Sequence, residues 1–141
     1  MLADDDSDDC MLFQEALDDL AINVNLQVVS NGIELMDLLY SNNSKLPDIL
    51  FLDLNMPRKT GFECLSEIKL NKSLKEIPVV IFSTSFDHEI VNALYKNGAQ
   101  FYVRKPAEFT RLKSVILQVI TEISKDSNLK TPKEKFVVNQ D

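Results

Sequence analysis

The chain is poor in residues that several common functions require. Only two of its 141 residues are cysteine. Cys10 and Cys64 have neither metal-ligand nor redox-motif spacing. Both fall on the apolar faces of predicted helices and are read as buried free thiols, which suits a reducing compartment. Histidine occurs once. His88 lies in or just before a predicted helix and is read as a surface residue. Met1, Met11, Met36 and Met56 show no ligand spacing. There is no basic run, and the net charge is -7. Both observations argue against binding nucleic acid or an anionic membrane, since each requires basic patches. No apolar run approaches the ~20 residues of a membrane helix. The N-terminus is acidic where a secretory leader is basic and then apolar. A cytoplasmic protein of one domain is the expectation, with enough chain for a real core.

What the chain does have is an alternation of short apolar runs with amphipathic segments. The runs are Leu2-Ala3, Leu26 to Val29, Asp48 to Leu52, Pro78 to Phe82 and Phe101 to Val103. From the third onward they show little polar alternation, the pattern of strands covered on both faces. Asp8 or Asp9 can cap a first helix, whose Phe13, Ala16, Leu17 and Leu20 form one stripe. Asn31 can cap a second helix with Leu35, Met36 and Leu39 inward. A third follows Gly61 and buries Cys64, Leu65 and Ile68. A fourth begins near Asp87, buries Ile90, Val91 and Leu94, and stops at Gly98. A fifth runs from about Ala107 to Ile123, with Phe109, Leu112, Val115, Ile116, Val119 and Ile120 at helical spacing. Strict alternation predicts an α/β fold: a doubly wound parallel sheet of five strands with right-handed crossovers. Residues 1–123 form this domain. The polar stretch 124–141, which contains Pro132, is read as a flexible tail, with Phe136-Val137-Val138 as a segment that could dock.

Four polar features terminate these apolar runs. They are Asp4-Asp5-Asp6, Asp53, Ser83 and Lys105-Pro106. In open parallel sheets, ligands bind outside the carboxyl ends of the strands, where all four would lie. Asp4, Asp5 and Asp53 bring three negative charges and Lys105 one positive, a balance that a divalent cation neutralises. Magnesium takes about six oxygens and keeps several as water. Two carboxylates and a backbone carbonyl would leave positions open for water or a phosphoryl oxygen. A carboxylate is also a nucleophile toward phosphorus, and phosphoryl transfer then needs positioning and charge neutralisation. The chemistry expected is a phosphoryl group on Asp53. Only three residues precede Asp4, whereas a central strand has about five. The first strand is therefore unusually short or continued by residues ahead of Met1, and Asp5-Asp6 is the alternative register of the acidic pair.

The residues resemble the receiver domains of two-component response regulators over roughly residues 1–122. The likeness rests on Leu2-Ala3-Asp4-Asp5-Asp6, on Leu52-Asp53-Leu54-Asn55-Met56-Pro57 with Gly61 following, on Pro78 to Ser83, and on Gly98 to Pro106. Ser83-Thr84-Ser85 also resembles the single-domain receivers associated with phytochromes. The resemblance implies a flavodoxin-like sheet with strand order 2-1-3-4-5. It implies that Asp53 is the phosphoacceptor. It places Mg2+ (or Mn2+) on Asp5, Asp53 and the Asn55 backbone carbonyl, with Asp4 acting through a water. Lys105 would pair with a phosphoryl oxygen and join Pro106 by a cis peptide bond. Ser83 would bond the phosphoryl group, and Tyr102 would change rotamer in response. Asn55 and Ser85 would tune the lifetime of the phosphoryl group.

Two positions depart from the family pattern. Ser83 stands where Thr is commoner, which keeps the hydroxyl. Thr84 replaces a small residue and could narrow access for small phosphodonors.

The function implied is that of a single-domain response regulator, a phosphoacceptor and not an enzyme. Its donor would be a sensor histidine kinase or a phosphotransfer protein. Its output would be an unidentified protein bound at the surface of the fourth helix, fifth strand and fifth helix, where a homodimer could also form. Two competitors stand beside this reading. One is a degenerate receiver acting as an unphosphorylated adaptor. The other is an aspartyl-phosphate hydrolase, disfavoured because such enzymes carry a second Asp where this chain has Asn55.

Overall fold

The computed structural model describes residues 1–41, 45–126 and 130–139. Twelve elements follow one another in the order β1 (Leu2–Ala3), α1 (Ser7–Asp19), β2 (Val28–Val29), α2 (Gly32–Tyr40), β3 (Leu50–Leu52), α3 (Gly61–Leu70), β4 (Val79–Ser83), α4 (His88–Lys96), β5 (Phe101–Arg104), α5 (Phe109–Lys125), α6 (Lys133–Phe136) and β6 (Val137–Val138). All strand pairs are parallel, in the order β2-β1-β3-β4-β5-β6. The expected five-stranded order is present, with one strand added at its end.

Successive strand residues point to opposite faces, so each strand feeds two cores. Ala3, Leu50, Leu52, Val79, Ile81 and Tyr102 pack with α2, α3 and α4. Leu2, Phe51, Val80, Phe82, Phe101 and Val103 pack with α1 and α5. On the second face Phe13 stands edge-on to Phe51 and Phe82, with ring centroids 4.9 and 5.6 Å away. Such edge-to-face aromatic pairs add about 1 kcal/mol each beyond the area they bury. Covering on both faces explains why the strands read as continuous apolar runs. Among the described residues, no helix is long and apolar enough to cross a membrane.

The helix boundaries follow local chemistry. Asn31 caps α2 by accepting from the Glu34 N–H at 2.8 Å. Thr60 and Glu63 form a reciprocal capping box on α3. Asp87 caps α4, and Gly98 at φ +95° ends it in the left-handed region. Two expectations are corrected. The cap of α1 is Asp6, which accepts from the Asp8 and Asp9 N–H groups, because Asp6 is the residue still in extended backbone. Ile90 is 43% exposed. Each helical residue turns about 100°, and the buried stripe of α4 centres on Val91 and Leu94.

The tail docks through Phe136-Val137-Val138, the segment the sequence offers for docking. α5 runs to Lys125, and the chain beyond it returns to the sheet. Val137 and Val138 pair with Tyr102 and Val103. Phe136 is buried against Tyr95, with ring centroids 5.0 Å apart. The Tyr95 hydroxyl donates to the Thr131 carbonyl at 2.9 Å, and Asn139 Nδ2 donates to the Arg104 carbonyl at 2.7 Å. Burying a phenylalanine contributes about 2 kcal/mol, which offsets the entropy of ordering a short segment. The parts of the tail at 127–129 and 140–141 lie outside the described residues. β5, expected at the edge of the sheet, is therefore an interior strand.

Candidate phosphoacceptor and metal site

β1, at two residues, still sets the register of the acidic pair. Its ladder continues through the Asp4 N–H to the Val29 carbonyl at 3.0 Å and the Asp53 N–H to the Ala3 carbonyl at 2.9 Å. Those two bonds place Asp4 and Asp53 side by side, each just beyond its strand. Asp4 is 1% exposed and Asp53 6% exposed. Asp5 follows and is exposed, and Asp6 turns away to cap α1. One carboxylate oxygen from each of Asp4, Asp5 and Asp53 lies within 4.8 Å of the other two.

Burial pushes the Asp53 carboxyl up to about 6; the Lys105 charge pulls it down and the Asp4 charge adds to the rise. Backbone N–H groups of Asn55 and Leu54 also reach it and favour its charged form. The loop after Asp53 folds tightly onto α3, with the Gly61 N–H donating to the Leu54 carbonyl at 3.0 Å. A Cβ at position 61 would overlap the Asp53 carbonyl, so only glycine permits this approach.

Lys105 arrives from the end of β5, anchored by its N–H on the Ser83 carbonyl at 2.8 Å. Its ammonium lies 2.8 Å from Asp4 Oδ2, 2.8 Å from Asp9 Oδ2 and 3.8 Å from Asp53 Oδ2. Burial lowers its pKa, but hydrogen bonds to Asp4 and Asp9 and the charge of Asp53 outweigh this, and the net shift is upward. Asp4 Oδ1 accepts from the Asp6 N–H at 3.0 Å. Asp4 Oδ2 has no hydrogen-bond partner among the described residues apart from its ion pair with Lys105.

A buried carboxylate oxygen served by one lysine, beside two further carboxylates, is a donor set of hard oxygens. It fits magnesium or manganese. The Lys105–Pro106 peptide is trans, since no described residue has a cis bond. This corrects the cis form implied above. The trans preference of an X-Pro bond is only about 0.5–1 kcal/mol, so the surroundings decide, and here Lys105 reaches Asp4 with the bond trans.

Ser83 is fully buried, and its Oγ accepts from the Ser85 N–H at 3.2 Å. Asn55 Nδ2 donates to Ser85 Oγ at 3.4 Å. The Tyr102 ring is fully buried, and its hydroxyl donates to the Ser85 carbonyl. The structure thus joins Ser83, Ser85, Asn55 and Tyr102 through the loop that follows β4. His88 is exposed and outside this set, and Thr84 is exposed beside it. One member was missed by sequence reasoning. Asp9, which the sequence offers as a helix cap, instead places its carboxylate against Lys105. Its only sequence signal is a place in the first turn of the helix that follows the acidic pair.

Comparison with known proteins gives a consistent result. Residues 1–117 match the response regulator receiver domain. The chain is 38% identical over 109 residues to response regulator Rcp1 of Synechocystis, covering 74% of each. It is 30% identical over 122 residues to a probable methanogenesis regulatory protein, FilR2, of Methanothrix harundinacea, covering 84% of this chain and 79% of that one. Among solved structures, the phosphorylated cyanobacterial phytochrome response regulator RcpA aligns with a TM-score of 0.79 at 33% identity, over 93% of this chain and 96% of that one. The Mn2+-bound form of Rcp1 aligns with a TM-score of 0.77 at 32% identity over the same shares. By its strand order, its acidic cluster and these matches, the chain belongs to the receiver domain family of two-component response regulators.

Proposed function

We propose that Asp53 accepts a phosphoryl group from a phosphohistidine on a sensor kinase or phosphotransfer protein, and that the domain passes the signal on by binding another protein. The observation that carries this reading is Asp53 at the end of β3, faced by Asp4, Asp5 and Lys105. In the transfer, the Asp53 carboxylate forms a P–O bond as the P–N bond of the phosphohistidine breaks, and the departing imidazole takes up a proton. Asp5, Asp53 and the Asn55 carbonyl would hold Mg2+ or Mn2+, with Asp4 acting through a water. The ion supplies charge neutralisation for the phosphoryl oxygens. Lys105, 3.8 Å from Asp53, would supply a second cation.

Ser83 would turn its hydroxyl to a phosphoryl oxygen. That movement removes the acceptor of the Ser85 N–H and so disturbs the loop to which Tyr102 is bonded. Phosphorylation adds about one negative charge to the site and would shift a pre-existing balance of loop conformations. The face formed by α4, β5 and α5 includes the docked tail, so a partner would read α6 and β6 as well. The similarity to phytochrome response regulators supports a phytochrome-linked kinase as donor.

The test is intact-protein mass after incubation with acetyl phosphate and magnesium, with Asp53→Asn alongside. A gain of one acid-labile phosphoryl group, lost in the variant and without magnesium, is expected. No gain from acetyl phosphate or from a phosphorylated donor protein would overturn the reading in favour of an adaptor.

A further inference from the structure

Lys105 is shared in a way that phosphoryl transfer alone does not require. An ammonium has three protons to donate. Two are directed at Asp4 and Asp9, each 2.8 Å away, while Asp53 at 3.8 Å is beyond hydrogen-bonding range. Asp4 and Asp53 belong to strand ends, but Asp9 comes from α1. Its carboxylate is not the helix cap, because Asp6 caps that turn. The Asp9 side chain is 31% exposed, against 10% for Lys105, so water can replace Lys105 around Asp9 when the lysine moves away.

The charges point the same way. Asp4, Asp5, Asp9 and Asp53 carry four negative charges against one positive on Lys105. A divalent ion would leave the cluster at minus one, and without Asp9 it would be neutral. Asp9 is thus a surplus anion, and it holds the cation that a phosphoryl group needs.

We propose that Asp9 is a positioning residue that holds Lys105 away from Asp53 in the unphosphorylated domain and releases it to the phosphoryl group. This rests on Asp53 being the phosphoacceptor. Asp9 then sets how readily the site accepts a phosphoryl anion, acting through Lys105 and not by contact with the reacting atoms.

The test uses beryllofluoride with magnesium, an acyl-phosphate mimic, followed by 19F NMR on the full chain. Asp9→Asn is expected to bind on the order of ten-fold more tightly than the unaltered protein, the change that freeing one charge-assisted hydrogen bond produces. Asp9→Glu, which can still reach the lysine, should restore the original affinity. Asp8→Asn removes the same charge one residue away, without contact to Lys105, and should change affinity little. In a Lys105→Ala background Asp9→Asn should have no effect, since the route runs through the lysine. Unchanged or weaker binding in Asp9→Asn would overturn the inference, as would an equal gain in Asp8→Asn. Failure of the unaltered protein to form any adduct would instead sink the phosphoacceptor reading, and this inference with it.

Discussion

The Lys105 ammonium stands 2.8 Å from Asp4 and 3.8 Å from Asp53. The cation of the site is thus committed to a neighbour of Asp53. Lys105→Met would leave two buried carboxylates without their cation. Breaking a buried pair in this way costs about 3–5 kcal/mol. Urea denaturation should show a loss of that size in chelator, and a much smaller one with magnesium present, because a divalent ion replaces the missing charge. Equal losses in both buffers would contradict the picture of one electrostatic cluster.

The Asp53 carboxyl gives a pH dependence with a defined sign. Burial raises it from 3.8 to about 6, so the folded state holds a proton that the unfolded chain has released. Its charged form therefore opposes folding, increasingly as pH climbs from 3.8 to about 6, and constantly above that. Asp53→Asn should then be more stable than the unaltered protein at pH 7 in metal-free buffer, by about 3 kcal/mol. The gap should close as pH falls through 6 toward 4. Thermal denaturation across that range measures it, and a variant less stable at pH 7 would contradict the assignment of burial as the cause.

Ser83→Ala separates acceptance from response. The variant keeps Asp53, the acidic cluster and Lys105, so phosphoryl incorporation by mass should persist. It loses the hydroxyl that accepts from the Ser85 N–H, at a cost of about 1 kcal/mol. Amide shifts of Ser85 and Tyr102 on adding beryllofluoride should shrink. Shifts as large as in the unaltered protein would show that the loop is moved by something other than Ser83.

Phe136→Ala tests the docked tail. Truncating a buried phenylalanine costs about 3–5 kcal/mol where the site cannot collapse. Here a short terminal segment can detach instead, so the expected effect is local. Hydrogen exchange should quicken at Val137 and Val138, which pair with β5, while Phe51 and Val80 in central strands stay protected. Unchanged exchange at Val137 and Val138 would show that Phe136 does not hold the tail.

Much of this was legible in the sequence because parallel strands covered on both faces leave apolar runs such as Leu50-Phe51-Leu52, and their ends are marked by Asp53, Ser83 and Lys105. The missing parts are tertiary in origin. Val137-Val138 is too short to carry a period, and its pairing depends on an exposed edge of β5 and on Tyr95. Asp9 carries no pattern that distinguishes it from Asp8; only the approach of α1 to the end of β5 selects it. Ile90 sits at the margin of an apolar stripe, where one residue of helical rotation decides burial. The isomer of Lys105–Pro106 has only a weak local preference and leaves no trace in composition.

The strand that closes the sheet lies beyond residue 117, where the family match ends. A receiver aligned with this chain over its matched residues is compared in its acidic site, and not in the outermost layer of the side where β5 would otherwise be open. On the proposed reading, the face of α4, β5 and α5 is thus completed by a stretch of polypeptide outside the matched residues. Exchanging only residues 130–139 between two such proteins would replace that outer layer and leave Asp4, Asp5, Asp53 and Lys105 unchanged.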